Sequence, residues 1–592
     1  MSSQRYVKGI YSPDRWTNLN RLAQEHLHQP ASSENPNNTP TSPPGAGEES
    51  AQAGSTPLPQ DQGDRGMSTF CPTLELRLIG LMLDRATIDV LPDFVLLEMF
   101  DCYLLQSQEE ADDYPLDVEA WHTLVHVCQR WRAIVFGSPH RLNLRLFFTN
   151  GTPVRETLDV WPPLPIIIWQ SGNQMWGLDD IVEALEYCDR VCEINLWDVP
   201  SPQLEEALEA MQQPFPALSE LGIRWEDDET DGIDDASPVV PDTFLGGSVP
   251  HLRHLDFYRV PFPGLPRLLL SSTDLVHLYL WKIPHSGYFS PEAMVQCLST
   301  LTKLEVLWLG FESPLPRLYQ DSLYPPPIRS VLPLLTHFKF KGASKYLENL
   351  VAPIDAPVLN SLEISFFHQL ILDTPQLVQF VSRTPNLKTP AEAHVVFSYE
   401  SISVILPEAF PGRLLLEILC RPSNWQLLSL EQICGSSFPQ FLIPAVEHLY
   451  IYDTVEPNPD WEDDIENDQW LEVLRPFTAV KDLYLSREFV PRIAPTLQEL
   501  VGENVKEVLP VLQNLFLEEL HLSGIAHEAV GEFVAARQLA NQPIAISHWD
   551  RKREEDSEVD DLPVIDDSSE SGDWSMLDDN SVLDDSSMIL DD

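Results

Sequence analysis

Six-residue segments of the form Φ-x-x-Φ-x-Φ, with Φ an apolar residue, recur ten times along the chain. They are VCEINL from Val191, LSELGI from Leu218, LRHLDF from Leu252, LVHLYL from Leu275 and LEVLWL from Leu304. LTHFKF from Leu335, LNSLEI from Leu359, VEHLYI from Val446, VKDLYL from Val480 and LEELHL from Leu517 complete the set. Their central apolar residues stand at 194, 221, 255, 278, 307, 338, 362, 449, 483 and 520, at intervals of 23–37 residues with one gap of 87. Weaker matches near His394 and Leu428 divide that gap at the same period. The Φ-x-Φ ending of each match alternates as a short strand with one buried face does. Helix signals lie between the strands. Ser201-Pro202 precedes Leu204, Leu208 and Met211; Ser290-Pro291 precedes Met294, Val295 and Leu298; Thr374-Pro375 precedes Leu377, Phe380 and Val381. Each pairs an N-cap hydroxyl with Pro at the first helical position, ahead of apolar residues at helical spacing.

A strand alternating with a helix at this period implies an α/β repeat, a leucine-rich-repeat solenoid over residues 160–545 whose units bury their faces only against neighbours. An ordinary α/β domain with amphipathic strands is the other reading. In either case the residues between the apolar positions face away from the core. They are His254, Asp256 and Tyr258; His277, Tyr279 and Trp281; Val306 and Trp308; His337, Lys339 and Lys341; His448, Tyr450 and Tyr452; then Tyr484. Aromatic and His side chains there resemble the composition of binding hot spots, which makes His254, Tyr258, Tyr279, Trp281, Trp308 and Tyr450 candidate contacts for a protein substrate. Strand propensity and cross-strand stacking account for the same residues without a ligand.

The ends differ from this body. Residues 1–70 mix Pro, Ser, Gln, Asn and Gly, and Gln29–Gly66 holds too little apolar surface to offset ordering entropy, so this region is expected to be disordered. At the other end residues 551–592 form an acidic tail, expected to be disordered, with acids alternating with Ser and short apolar clusters. Ser557, Ser575 and Ser581 each have an acid three residues on, as acidophilic kinases favour. Pro563 to Asp567 resembles a motif for binding ubiquitin-like modifiers, by adding a strand to a sheet edge.

Between the N-terminal region and the body, Leu91-Pro92-Asp93 stands ahead of Val95, Leu96, Met99 and Phe100 at helical spacing. After an acidic loop, Trp121, Leu124, Val125, Cys128 and Trp131 trace a second amphipathic helix. Such a hairpin holds more apolar surface than it can bury alone and should dock on another protein or on the body. The pattern of Leu91, Pro92, Val95, Leu96, Met99 and Phe100, followed by Val127, Cys128, Trp131 and Arg132, resembles the F-box, in a small all-α domain over residues 84–147. Residues 138–168 continue the similarity to fungal F-box-like proteins with a repeat body. The insertion Gln106–Val118 lengthens the inter-helix loop beyond the family pattern.

This resemblance implies a non-catalytic substrate-recognition subunit of an SCF-type (Skp-cullin-F-box) E3 ubiquitin ligase. The hairpin would dock a Skp-type adaptor and, through it, the cullin ligase complex. Leu91, Pro92, Val95, Leu96, Met99, Phe100, Val127, Cys128 and Trp131 would lie at that interface or support it; several of them fit equally as the hairpin's own core. The repeat surface would hold an unknown protein substrate. The alternative is a leucine-rich-repeat scaffold unconnected to ubiquitin ligation, with the hairpin capping the first repeat.

Composition narrows the classes. A net charge of −54 disfavours phosphate backbones, so no nucleic-acid partner is expected. The eight cysteines, at 71, 102, 128, 188, 192, 297, 420 and 434, form no Cys-x-x-Cys and point to a reducing compartment. With no basic-then-apolar leader and no run near the ~18 apolar residues of a span, a cytoplasmic or nuclear protein without a membrane partner is expected. Asp227, Glu229, Asp231 and Gly232 imitate the start of a calcium loop, but Pro238 stands where the twelfth-position carboxylate is needed. No Gly-rich phosphate loop, Gly-x-Ser-x-Gly elbow or metal constellation occurs, so neither catalysis nor a metal or other cofactor is expected.

Overall fold

The computed structural model describes residues 91–551 except 110–119, 150, 171–178, 226–237, 315–328, 368–373, 388–389, 399–400, 408–411, 421–422, 435–441, 455–466, 500–507 and 519–524. The expectations for residues 1–70, the tail beyond Arg551, the insert Asp227–Asp235 and positions 110–118 of the inter-helix loop lie outside these residues.

Pro92 opens the first helix, α1 (Asp93–Glu109), whose leading amides at Val95 and Leu96 donate to the Pro92 carbonyl. The acidic insertion is therefore helical as far as Glu109. The single helix expected from Trp121 to Trp131 is instead two, α2 (Ala120–Val127) and α3 (Gln129–Gly137), broken at Cys128. Cys128 is extended (φ −159°, ψ 168°), and its sulfur accepts from the Trp131 amide, capping α3. Arg132 Nε donates back to the Val125 carbonyl at 3.1 Å, giving an end carbonyl of α2 the partner that the break removes. The break turns the Trp131 ring onto Phe100 of α1, 4.6 Å away.

The chain divides into two units, residues 1–367 with 374–388, and residues 368–373 with 389–592. Both are mixed α/β with a parallel-rich sheet. The first unit holds β1 (Leu146–Phe148), β2 (Ile166–Gln170), β3 (Val191–Trp197), β4 (Glu220–Arg224), β5 (His254–Tyr258), β6 (His277–Ile283) and β7 (Val306–Phe311). After β8 (Ser330–Val331) come β9 (His337–Gly342), β10 (Ile354–Asp355) and β11 (Ser361–Phe366). β8 and β10 make a separate two-stranded pair; the other nine run parallel in the order of the sequence.

The register shows why the apolar pattern folds this way. Ile194, Leu221, Leu255, Leu278, Leu307, Phe338 and Leu362 are successive cross-strand partners, so the central residues of seven matches form one continuous row. A second row, Leu196, Ile223, Phe257, Leu280, Leu309, Phe340 and Ile364, lies two residues along, and both rows are buried. At ~2 kcal/mol for each buried aliphatic side chain, the rows hold the sheet to the helices behind it.

The second unit contains β12 (Glu392–Phe397), β13 (Ser401–Pro407), β14 (Arg413–Leu419), β15 (His448–Asp453), β16 (Asp482–Leu485), β17 (Asn514–Leu517) and β18 (Ala545–His548). β12, β15, β16, β17 and β18 are parallel, while β13 pairs antiparallel with both β12 and β14. Two expectations are corrected here. The match near His394 is a strand, but Leu428 lies in the helix Ser423–Gln432, and the rest of the 87-residue gap holds the antiparallel β13–β14 excursion. Leu515 of the strand Asn514–Leu517 stands beside Leu483, from LQNLFL at Leu512, which carries the same pattern five residues before the last match; Leu520 lies outside the described residues. Strands also begin earlier than position 160, at Leu146.

The helix starts are uneven in their chemistry. Ser290 caps as expected, its hydroxyl accepting from the Ala293 amide at 3.2 Å. Ser201 does not: the helix Ser201–Ala210 already includes it, and its hydroxyl accepts from the Trp225 indole at 3.0 Å. Thr374 stands at the cap of Pro375–Arg383 without a side-chain cap bond. The buried Glu348 of the preceding helix does that work, accepting from the Gln376 and Leu377 amides at 2.8 Å each.

Candidate protein-binding surfaces

On the hairpin, the nine candidate residues fall into different environments. Leu96 and Phe100 are buried within it, and Leu91, Val95 and Trp131 are half-buried. Pro92, Met99, Val127 and Cys128 are exposed. Apolar residues run most of the way round α1, and Leu96 and Phe100 are the buried ones among those whose burial is described. That leaves Phe94 66%, Met99 43% and Tyr103 44% exposed, with Val127 of α2 at 54%. Phe94 and Tyr103 were not picked out from the sequence; Tyr103 continues the stripe at i+4 from Met99 and i+3 from Phe100, whereas Phe94 lies off it and has no periodic signal.

The hairpin is fixed in place. Arg130 of α3 ties to the start of α1 through the Asp93 carboxylate at 2.6 Å, and Arg141 pairs with Glu98. On the far side Trp121 donates to the Arg145 carbonyl at 3.1 Å and packs edge-on against Trp161, 5.3 Å between rings. His122 lies flat on Trp161, and burial, then His126, holds its imidazole down at about 3. The apolar excess of the hairpin is thus split between the start of the sheet and exposed side chains of α1.

The strand face of the first unit is ordered in three rows. The first contains Glu193, Glu220, His254, His277, Val306 and His337. The second contains Trp169, Asn195, Gly222, Asp256, Tyr279, Trp308, Lys339 and Glu363. The third starts with Trp197, Arg224, Tyr258 and Trp281. His254, Tyr258, Tyr279, Trp281 and Trp308 therefore come together, and ring contacts join most of them: His254 to Tyr279 at 5.2 Å, Tyr279 to Trp308 at 4.8 Å, Trp281 to Trp308 at 6.2 Å. Gly310 leaves room for this, since a Cβ there would stand 2.5 Å from the Trp281 ring. Trp169 and Trp197 belong to the same face; one more step of alternation beyond Leu196 would have found Trp197, while Trp169 stands on β2, ahead of the first match.

Cations lie over the rings. Arg224 sits 4.5 Å from the Trp197 ring and donates through Nε and Nη2 to Asp256. Lys339 Nζ is 5.0 Å from the Trp281 and Trp308 rings, Lys341 lies 5.9 Å from Trp281, and Lys282 is 5.0 Å from Tyr258. Burial lowers the His254 pKa and raises that of Tyr279, so both are neutral near pH 7.

The other end of the face is acidic. Burial, and next the Glu220 carboxylate, push the Glu193 carboxyl up to about 7, against the pull of Arg145 and Asn195. A folded value above the ordinary 4.5 means that folding takes up a proton. The resulting stabilisation is complete below the ordinary value and is lost as pH rises through about 7. Glu193→Gln is accordingly expected to melt higher than the parent near pH 8 and level with it near pH 4.5. The same difference in melting temperature at both pH values would overturn this.

Tyr450 belongs to the second unit. There His394, Tyr450, Tyr484 and Phe516 stack on successive parallel strands, with ring centroids 4.4, 4.1 and 4.4 Å apart. Burial holds His394 down at about 4. Trp549, buried just past β18, packs against Tyr450 and Tyr484, and Arg551 lies 4.5 Å over Tyr452 while meeting Asp453 at 3.6 Å. Tyr450, half-buried, thus meets a segment past β18 as well as its strand neighbours, which no periodic signal announces.

Among the described residues no cluster of His, Cys, Asp or Glu is placed to hold a metal, and no helix is long and apolar enough to cross a membrane. No family model and no curated protein matches the chain.

Proposed function

We propose that the chain is the substrate-recognition subunit of an SCF-type E3 ubiquitin ligase. Its body is read as a leucine-rich-repeat solenoid, and residues 91–137 as the described part of an F-box. The observation that carries the reading is the exposure of Phe94, Met99 and Tyr103 of α1 and of Val127 of α2 on a hairpin otherwise fixed by Arg130 and Trp121. Large apolar side chains left exposed together on one short hairpin suit docking on another protein. The chemistry would take place on the partners. This chain would raise the effective concentration of a substrate lysine beside the activated ubiquitin, with the strand face of the first unit holding the substrate.

The packing of Trp121 on Trp161 favours a second reading, in which the hairpin caps the sheet of a scaffold unconnected to ubiquitin ligation. Co-expression with a Skp-type adaptor and a cullin separates the two. The ligase subunit co-purifies with the adaptor in a stable complex. A full-length, folded chain that leaves the adaptor in the flow-through would end the ligase reading and leave the scaffold.

A further inference from the structure

We infer that the β6–β9 part of the strand face binds an acidic peptide segment of the partner protein, with an apolar side chain between its acids. The inference rests on the reading of this face as the substrate surface and names the substrate's chemistry. Acidic residues outnumber basic ones 91 to 37 in the chain, yet Lys282, Lys339 and Lys341 gather here around Tyr258, Trp281 and Trp308. Lys339 lies 3.9 Å from Glu363, and the rings hold the ammonium groups at the face. Point-charge lysines over half-buried indoles suit carboxylates flanking an apolar residue: the charges steer and the rings supply contact area.

The two ends of the face fix where such a segment lies. Glu193 and Glu220 stand on β3 and β4, and Asp256 of β5 is already held by Arg224. An acidic segment is repelled from that end and drawn toward β9. A single nucleic-acid strand also suits stacked rings and lysines, but it carries a charge at every nucleotide and three lysines neutralise few of them, and the test below includes it as an outcome.

The test uses the full chain and a fluorescent dodecapeptide alternating Asp and Glu with Leu and one Trp. Binding is expected, weakening as salt rises, and roughly tenfold weaker in Lys339→Met/Lys341→Met, which removes charge while keeping the stem packing. The same peptide with Lys in place of its acids is expected not to bind. No binding by the folded parent, or equal binding by the double variant, would overturn the inference, as would tighter binding of oligo(dT) than of the peptide. p-Benzoylphenylalanine placed at Val306 tests the remaining occupant. A crosslink to the peptide supports the inference, whereas a crosslink only to residues 552–592 of the same chain overturns it and assigns the face to the chain's own tail. Adaptor capture is measured separately through the hairpin, so failure of the ligase reading leaves the peptide result interpretable.

Discussion

Replacing Phe94 and Met99 together by aspartate is expected to abolish capture of a Skp-type adaptor while leaving the melting temperature of the chain within a degree or two. Both side chains are exposed, at 66% and 43%, so the folded chain loses little packing when they change. In a complex each would be buried, and truncating a central apolar anchor typically costs about 2 kcal/mol or more. Two anchors replaced by charges that must be desolvated should therefore cost at least two orders of magnitude in affinity, on the scale of ~1.4 kcal/mol per decade. Leu96→Asp is the wrong probe, although the sequence pattern singles it out. That side chain is fully buried, and a charge there disrupts the hairpin by several kcal/mol whatever the partner. Undiminished capture by the Phe94/Met99 variant, read by pull-down at matched folding, would show that these exposed side chains of α1 are not the docking site.

The second large effect concerns Glu348. Its carboxylate sits buried between two helices and accepts both the Gln376 and Leu377 amides, serving as the N-cap of a helix to which it does not belong. Glu348→Ala strands one buried and one part-buried donor, each worth ~1–3 kcal/mol when left unpaired, so the first unit should lose about 2–4 kcal/mol in urea titration. Glu348→Gln keeps one acceptor oxygen and should recover roughly half of that. A loss under about 1 kcal/mol for the alanine variant would mean that water or Thr374 takes over the cap.

The cap also shows where local reading fails. Thr374-Pro375 has the sequence of a self-capped helix start, as Ser290-Pro291 does, and only Ser290 behaves that way. A cap supplied by a residue 28 positions away along the chain depends on how two helices pack, which a local pattern does not encode. Cys128 is similar. Its apolar neighbours continue a helical period, but the sulfur cap and the Arg132 bond to Val125 make a break stable, and the break moves Trp131 to where it meets Phe100.

The apolar period determined by itself which residues of the first unit form the sheet core, because strand register and side-chain alternation repeat together. Seven counted positions became one buried row. The same alternation determined which polar and aromatic residues share a face, and there His254, Tyr258, Tyr279, Trp281 and Trp308 come together as rows. Only the tertiary structure decided what else meets them. Tyr450 obeys the same alternation and also packs against Trp549, from a segment past β18. It also decided that Leu96 and Phe100 face inward while Phe94 and Met99 face out. A helix that is apolar nearly all round carries no local record of which side its neighbours will cover; that is fixed by where α2 and α3 pack.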